Sequence, residues 1–88
     1  MSTTDLTHLA SLLGQQHATN TAIRTHCRHP AVDKGKMQEL LRSDFAEAKK
    51  SLPELLLLYG MNNDFLPEAE HEFAKAGTDS LRQVADGP

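Results

Sequence analysis

Apolar residues recur every three or four positions along most of the chain, and no segment of useful length alternates apolar and polar residues. The first spacing is typical of an amphipathic helix, and alternation is typical of a half-buried strand. The pattern therefore predicts an all-α fold, a small bundle of four or five helices with a long first helix. We expect residues 1–88 to form a single helical domain with frayed tails at 1–4 and 86–88.

The first helix is predicted to run from about Asp5 to His26, with Thr3 or Thr4 as its N-cap. One side of it carries apolar residues with a spacing that resembles a coiled-coil seam, interrupted by two polar residues that would set register or partner number. We predict a homodimer whose interface is either the segment 55–59 or this seam: Leu6, Leu9, Leu13, Gln16, Asn20 and Ile23. A partly exposed middle section is the alternative for the polar pair. Cys27 continues the seam, so we expect it to be buried.

Local signals divide the rest of the chain into shorter helices. Asp33 is predicted to cap a second helix that ends near Lys50. The segment 51–54 reads as a capping box at the start of a short third helix, which Gly60 ends. A fourth helix is predicted to start at Asn63 or Asp64 and to be ended or interrupted by Gly77. A last short helix would follow from Thr78.

Four consecutive leucines at 55–58 form the most informative segment. Successive residues of a helix are turned by about 100°, so such a run is apolar on every side. Either the segment lies at the centre of the fold or another protein chain covers its outer side. We predict a partner-binding surface around it, formed by Leu56, Tyr59, Met61, Phe65, Glu68 and Glu72. The alternative is that the apolar members close the domain's own core.

The net charge of −3 is unevenly distributed. Residues 1–51 hold seven Lys/Arg and five Asp/Glu, whereas residues 52–88 hold two Lys/Arg and seven Asp/Glu. The C-terminal third is therefore acidic, which disfavours nucleic acid as a partner and suits a basic protein surface. A charge that serves only solubility is the alternative.

Metal-ligand residue types cluster only at His26, Cys27 and His29. On an intact helix Cys27 is turned away from His26, and cations at a helix C-terminus offset the helix dipole, so we predict no metal and no cofactor there. Glu68 and His71 match one element of a di-iron helix bundle, but chance matches are common in so acidic a helix. Residues 54–76 have the outline of a helix-turn-helix whose second helix is too acidic for a DNA groove.

No enzyme fingerprint is present, so we predict no catalytic activity. We expect a protein–protein interaction module that acts as a regulator, adaptor or inhibitor, as small acidic helical proteins of bacteria and phages often do. The alternatives are a metal or ligand sensor that uses His26 and His29, and a DNA-binding transcriptional regulator that uses the basic N-terminal half. The single cysteine and the short apolar run at 55–59 predict a cytoplasmic protein without a membrane segment.

Overall fold

A computed structural model describes residues 2–87, and every regular element in that range is helical. The all-α prediction is confirmed. Residues 2–87 form four α-helices, with one 3-10 turn before the last of them: α1 (Thr3–Arg28), α2 (Lys34–Lys49), α3 (Leu52–Leu58), the turn Asn63–Phe65, and α4 (Leu66–Asp86). α1 and α4 extend into the segments predicted as frayed tails, since residues 3–4 and residue 86 are helical. Met1 and Pro88 lie outside the described residues.

α1 begins at Thr3, two residues before its predicted start at Asp5. The Ser2 side chain accepts a hydrogen bond from the Asp5 amide, so Ser2 is the N-cap in place of Thr3 or Thr4. The helix ends at Arg28, two residues before Pro30, as the restriction on residues before proline predicts. Its 26 residues span about 39 Å at 1.5 Å per residue, close to the molecule's longest dimension of 44 Å.

α4 runs without a break through Gly77, so the predicted interruption and the separate helix from Thr78 are wrong. Glycine within a helix costs only about 1 kcal/mol relative to alanine. Burying a large apolar side chain contributes about 1.5–3 kcal/mol, and Phe73 and Leu81 both pack into the core on either side of Gly77. Tertiary packing therefore outweighs the local helix-breaking signal.

α1 and α4 lie side by side and parallel, with small residues between them. The Gly14 backbone meets Ala69, and the Gln15 Nε2 group donates to Glu72 at 2.9 Å. Four small residues of α1 are buried at a spacing of four, on the face that packs into the core: Ala10, Gly14, Ala18 and Ala22. A side chain no larger than a methyl group lets two helix backbones approach closely.

α2 closes the bundle by running antiparallel to both long helices. Thr25 donates a hydrogen bond to the Asp44 carboxylate at 2.5 Å, and His17 Nε2 lies 2.8 Å from the Ala48 carbonyl oxygen. The Phe45 and Phe73 rings meet edge to face, with centroids 5.9 Å apart. As α2 proceeds from Asp44 to Ala48, its contacts move from the C-terminal half of α1 toward the middle of that helix. α3, which follows α2, therefore packs beside the N-terminal half of α1.

The predicted capping box at the start of α3 does not form. Ser51 makes no side-chain capping bond, because it adopts helical dihedral angles (φ −89°, ψ −7°) instead of the extended ones that an N-cap requires. Its amide donates to the Ala48 carbonyl oxygen, so the chain passes from α2 to α3 with almost no loop.

Candidate protein interaction surface

The leucine run on α3 is divided between the core and the surface. Leu52 and Leu56 are fully buried, and Leu55 is partly buried. The next three residues point away from the bundle: 64% of Leu57, 81% of Leu58 and 53% of Tyr59 is exposed to solvent. We call Leu57, Leu58 and Tyr59 the α3 patch. Both predicted outcomes for the run, core and surface, are thus found on different sides of one short helix.

The end of α3 is held by a Schellman motif directly after the α3 patch. Gly60 has a positive φ of 75°, its amide donates to the Leu57 carbonyl at 3.0 Å, and the Met61 amide donates to Leu56 at 2.9 Å. Met61 is only 2% exposed, so the chain is anchored in the core immediately after the turn. The α3 patch is therefore presented by a fixed backbone.

The six predicted partner-binding residues do not share one exposed surface. Leu56 and Met61 belong to the core, which corrects their assignment to a surface, and Phe65 packs partly against the same core. Glu72 is partly buried and accepts the bond from Gln15. Tyr59 and Glu68 are exposed. Because Leu52 and Leu56 face inward, helical spacing places Leu57 and Leu58 on the outer side. The sequence alone does not show which of the four leucines at 55–58 faces inward.

The predicted dimer seam of α1 is also split. Leu13 lies in the core, Leu6 and Leu9 are partly buried against it, and Gln16, Asn20 and Ile23 are exposed. The seam therefore does not form one continuous exposed stripe in the single chain. The cause is that α1 turns its small residues inward, a face that large-residue periodicity does not identify.

Cys27 is exposed, so the prediction that it is buried is wrong. The neighbouring core position is Thr25, whose hydroxyl is fully buried and bonded to Asp44. Two residues along a helix turn the side chain by about 200°, which places Cys27 on the opposite side.

A second apolar surface feature, a recess that we call the terminal groove, lies at the other end of the molecule. It has a volume of about 830 Å³ and is bounded by the end of α1, the loop before α2, the start of α2 and the end of α4. Its apolar lining includes Ile23, Cys27, Val32, Met37 and Val84. No local sequence pattern indicates the groove, because its walls come from segments about 50 residues apart.

His26 and His29 both line the terminal groove. Across residues 2–87, no group of three or more His, Cys, Asp or Glu side chains is placed to hold a metal ion. Among the described residues, the structure therefore adds no third ligand to the two histidines on which the sensor hypothesis depends.

Several basic residues are paired with acids one helical turn away. Lys36 lies 3.7 Å from Glu39, Lys50 lies 3.1 Å from Glu47, and Arg82 lies 3.6 Å from Asp79, all at exposed positions. Exposed pairs of this kind contribute at most about 1 kcal/mol to stability. They divide the positive charge into local pairs, which differs from the continuous basic stripe that a nucleic-acid phosphate backbone attracts.

Within the described part of the chain, no helix combines the length and apolar character needed to cross a bilayer. Comparison with known protein families, with characterised proteins and with solved structures finds no match to this chain.

Proposed function

We propose that this protein is a protein–protein interaction module that acts as a regulator, adaptor or inhibitor, with the α3 patch as its binding surface. The observation that carries the proposal is the exposure of three consecutive large side chains, Leu57, Leu58 and Tyr59. Isolated exposed leucines are common on protein surfaces, but contiguous apolar patches mark interaction sites. Covering one such leucine contributes about 1.5–3 kcal/mol, so a partner that buries the patch gains substantially.

The fixed backbone of the α3 patch supports this proposal. α3 packs through Leu52 and Leu56, and the Schellman motif holds its end. A partner that meets a pre-ordered surface has less conformational entropy to remove on binding. The tyrosine adds a ring that can be buried while its hydroxyl stays in water, an arrangement common at interfaces.

We include a homodimer and a cytoplasmic location in the proposal. The supporting observations are the exposed apolar side chains at both ends of the molecule and the presence of a single cysteine in the sequence. No observation in the site favours the sensor or the DNA-binding alternative.

The test compares two variants that add the same charge at exposed helix positions, Leu58→Glu in the α3 patch and Ala46→Glu on α2. The full chain is used as bait in an extract of its native host, and the recovered partner is then titrated by calorimetry. We expect Leu58→Glu to raise the Kd at least about 30-fold, the effect of a 2 kcal/mol hot spot, while Ala46→Glu leaves it unchanged. Equal affinity of the wild type and Leu58→Glu would contradict the proposal.

A further inference from the structure

The outer side of α3 carries a carboxylate together with two highly exposed leucines. Glu54, Leu57 and Leu58 are all exposed, and residues three and four positions apart on a helix are neighbours on its surface. Leu58 is turned by about 40° from Glu54 and by about 100° from Leu57. Tyr59 is turned by about 200° from Leu57, so it belongs to another side. We call Glu54, Leu57 and Leu58 the outer face of α3.

The part of the molecule around this face is strongly acidic. The N-terminal half of α1, α3, the 3-10 turn and the first part of α4 lie together, because α3 packs beside α1 and Gly14 meets Ala69. These segments, residues 2–15 and 51–74, hold no Lys or Arg and six acids: Asp5, Glu54, Asp64, Glu68, Glu70 and Glu72. The remaining residues hold nine Lys/Arg and six Asp/Glu. With the histidines counted as neutral, one part therefore carries −6 and the rest +3.

These acidic side chains are not neutralised by the chain's own cations. No ion pair within residues 2–87 includes any of the six, and Glu72 accepts its bond from the neutral amide of Gln15. Lys49 and Lys50 precede α3 along the chain, and Lys50 is paired with Glu47. A positively charged partner would therefore meet a field of one sign around the two leucines, and such complementarity guides association and selects the partner.

Two other occupants of the outer face are disfavoured. A second copy that presented the same end would bring two charges of −6 together, and like charges oppose association. An extended peptide binds by adding a strand to a sheet edge, and residues 2–87 contain no strand. A helix satisfies its own backbone hydrogen bonds, so it can pack on α3 through side chains alone.

We propose that the outer face of α3 binds a cationic amphipathic helix of a different protein, one whose apolar stripe is bordered by Lys or Arg. This inference rests on the proposed function, because Leu57 and Leu58 of the α3 patch make its apolar contact. The apolar stripe of the partner covers the two leucines, and a cation beside the stripe meets the Glu54 carboxylate. The other acids of this end attract the remaining cations over a longer distance.

The test titrates each protein by calorimetry with a synthetic amphipathic peptide of leucine and lysine. The comparison peptides are a leucine–glutamate counterpart and a scrambled leucine–lysine peptide without an apolar face. Leu58→Ala and Leu57→Ala each remove an apolar contact, and Ile23→Ala is the matched control, because its side chain is more than half exposed and lies in the terminal groove. Glu54→Gln removes one charge from the outer face, and Asp86→Asn removes one from the exposed end of α4. Thermal unfolding checks each fold, and sedimentation equilibrium reports the mass of each protein alone.

We expect the leucine–lysine peptide to bind the wild type and the two control variants with the same Kd. Leu58→Ala should raise that Kd about tenfold through lost apolar burial, and Glu54→Gln about threefold through one weakened charge contact. The leucine–glutamate and scrambled peptides should bind at least about thirtyfold more weakly. Raising NaCl from about 0.05 M to about 0.5 M should weaken binding to the wild type by a larger factor than binding to Glu54→Gln, because salt screens exposed charges.

Several results would overturn the inference. Equal affinity of the leucine–lysine and leucine–glutamate peptides, both lowered by Leu58→Ala, would reject the cationic partner and leave the proposed function standing. Equal Kd values for the wild type and both leucine variants, or no binding of the leucine–lysine peptide, would show that the face does not bind such a helix. A mass above the 9.7 kDa monomer that Leu58→Ala abolishes would make a second copy the occupant.

The proposed function is decided separately by the titration with the host partner. A host partner that binds the wild type and loses affinity for Leu58→Glu would support that function even where the peptide result rejects a cationic helix. A host partner that binds both proteins equally would reject the function and the inference together.

Discussion

Gly14 is the residue at which two helix backbones come closest. A Cβ atom placed on it would lie 2.2 Å from the Ala69 carbonyl oxygen, a distance that only a separation of α1 from α4 relieves. We predict that Gly14→Ala lowers the free energy of unfolding by about 2 kcal/mol or more, because overpacking outweighs the gain of about 1 kcal/mol in helix propensity. Urea denaturation of the purified variant measures the change.

Gly77 provides the matched control for Gly14. It is also buried within a long helix, but a Cβ there would lie 3.5 Å from the Phe45 ring, an ordinary contact distance. We expect Gly77→Ala to change stability by no more than about 1 kcal/mol, in the stabilising direction. A Gly14→Ala variant as stable as Gly77→Ala would show that the two helices are not in close contact.

Tyr59 and Met61 flank Gly60 but have opposite environments, since Tyr59 is half exposed and Met61 is buried. We predict that Tyr59→Ala changes the free energy of unfolding by less than about 1 kcal/mol, as surface substitutions do. Met61→Ala should lower it by about 2–5 kcal/mol, because it leaves a cavity in the core. Thermal and urea unfolding of both variants distinguish the two roles, and a larger loss for Tyr59→Ala would place its ring in the core.

Cys27 should react as an exposed thiol. We predict that a thiol reagent labels it in the native protein at a rate close to that of the unfolded chain, because no structural barrier covers it. Mass spectrometry over a time course measures the rate. Labelling that begins only on addition of denaturant would indicate burial.

At the scale of the elements, Gly60 sets the length of α3 by adopting a conformation that other residues avoid. Nothing lies within 4 Å of the position of a Cβ on Gly60, so a substitution there acts through the backbone alone. We predict that Gly60→Ala lowers stability by about 1–2 kcal/mol, the cost of the left-handed conformation for an L-residue. Gly60→Asn should cost less, because asparagine tolerates that region. Chemical denaturation of both variants checks the order, and equal stability of wild type and Gly60→Ala would contradict it.

Where the buried face of a helix consists of large apolar residues, the sequence predicts that face correctly. The buried face of α1 was not predictable in this way. In α2, Met37, Leu41 and Phe45 are both the apolar stripe and the buried face. In α1, Leu13 is the one buried leucine, and the rest of the buried face consists of alanine, glycine and threonine. Hydrophobic periodicity weighs large side chains most, so it placed Ile23 and Cys27 on the same side as Leu13, although Leu13 is buried and the other two are exposed. The signal that identifies the face is the recurrence of small residues at every fourth position from Ala10 to Ala22.

The candidate surface was predictable only in outline. The leucine run and the acidic C-terminal third were visible in the sequence, and they include Leu57, Leu58 and Tyr59. The terminal groove was not, because its lining comes from parts of α1, α2 and α4 that are far apart in the sequence. A recess built from the ends of three helices leaves no local pattern in any one of them.

At the scale of the whole molecule, the three long helices give a rod. The radius of gyration is 13.9 Å, compared with about 12 Å for a compact domain of 88 residues. We predict that small-angle X-ray scattering, at a dilution where the protein is monomeric, gives a radius of gyration nearer 14 Å than 12 Å. A value near 12 Å would require a folded-back arrangement of α1.

The parallel pairing of α1 with α4 has a consequence for how the chain reaches its native state. Gln15 and Glu72 are 57 positions apart, and the closest backbone approach joins Gly14 to Ala69. Helical bundles usually fold fast because their contacts are local, and contacts of high sequence separation slow folding through the entropy of closing long loops. During synthesis, α1 can pack against α2 through Thr25 and His17 before α4 has been made, but its contacts at Gly14 and Gln15 must wait for α4. The contacts between α1 and α4 therefore form after those between α1 and α2.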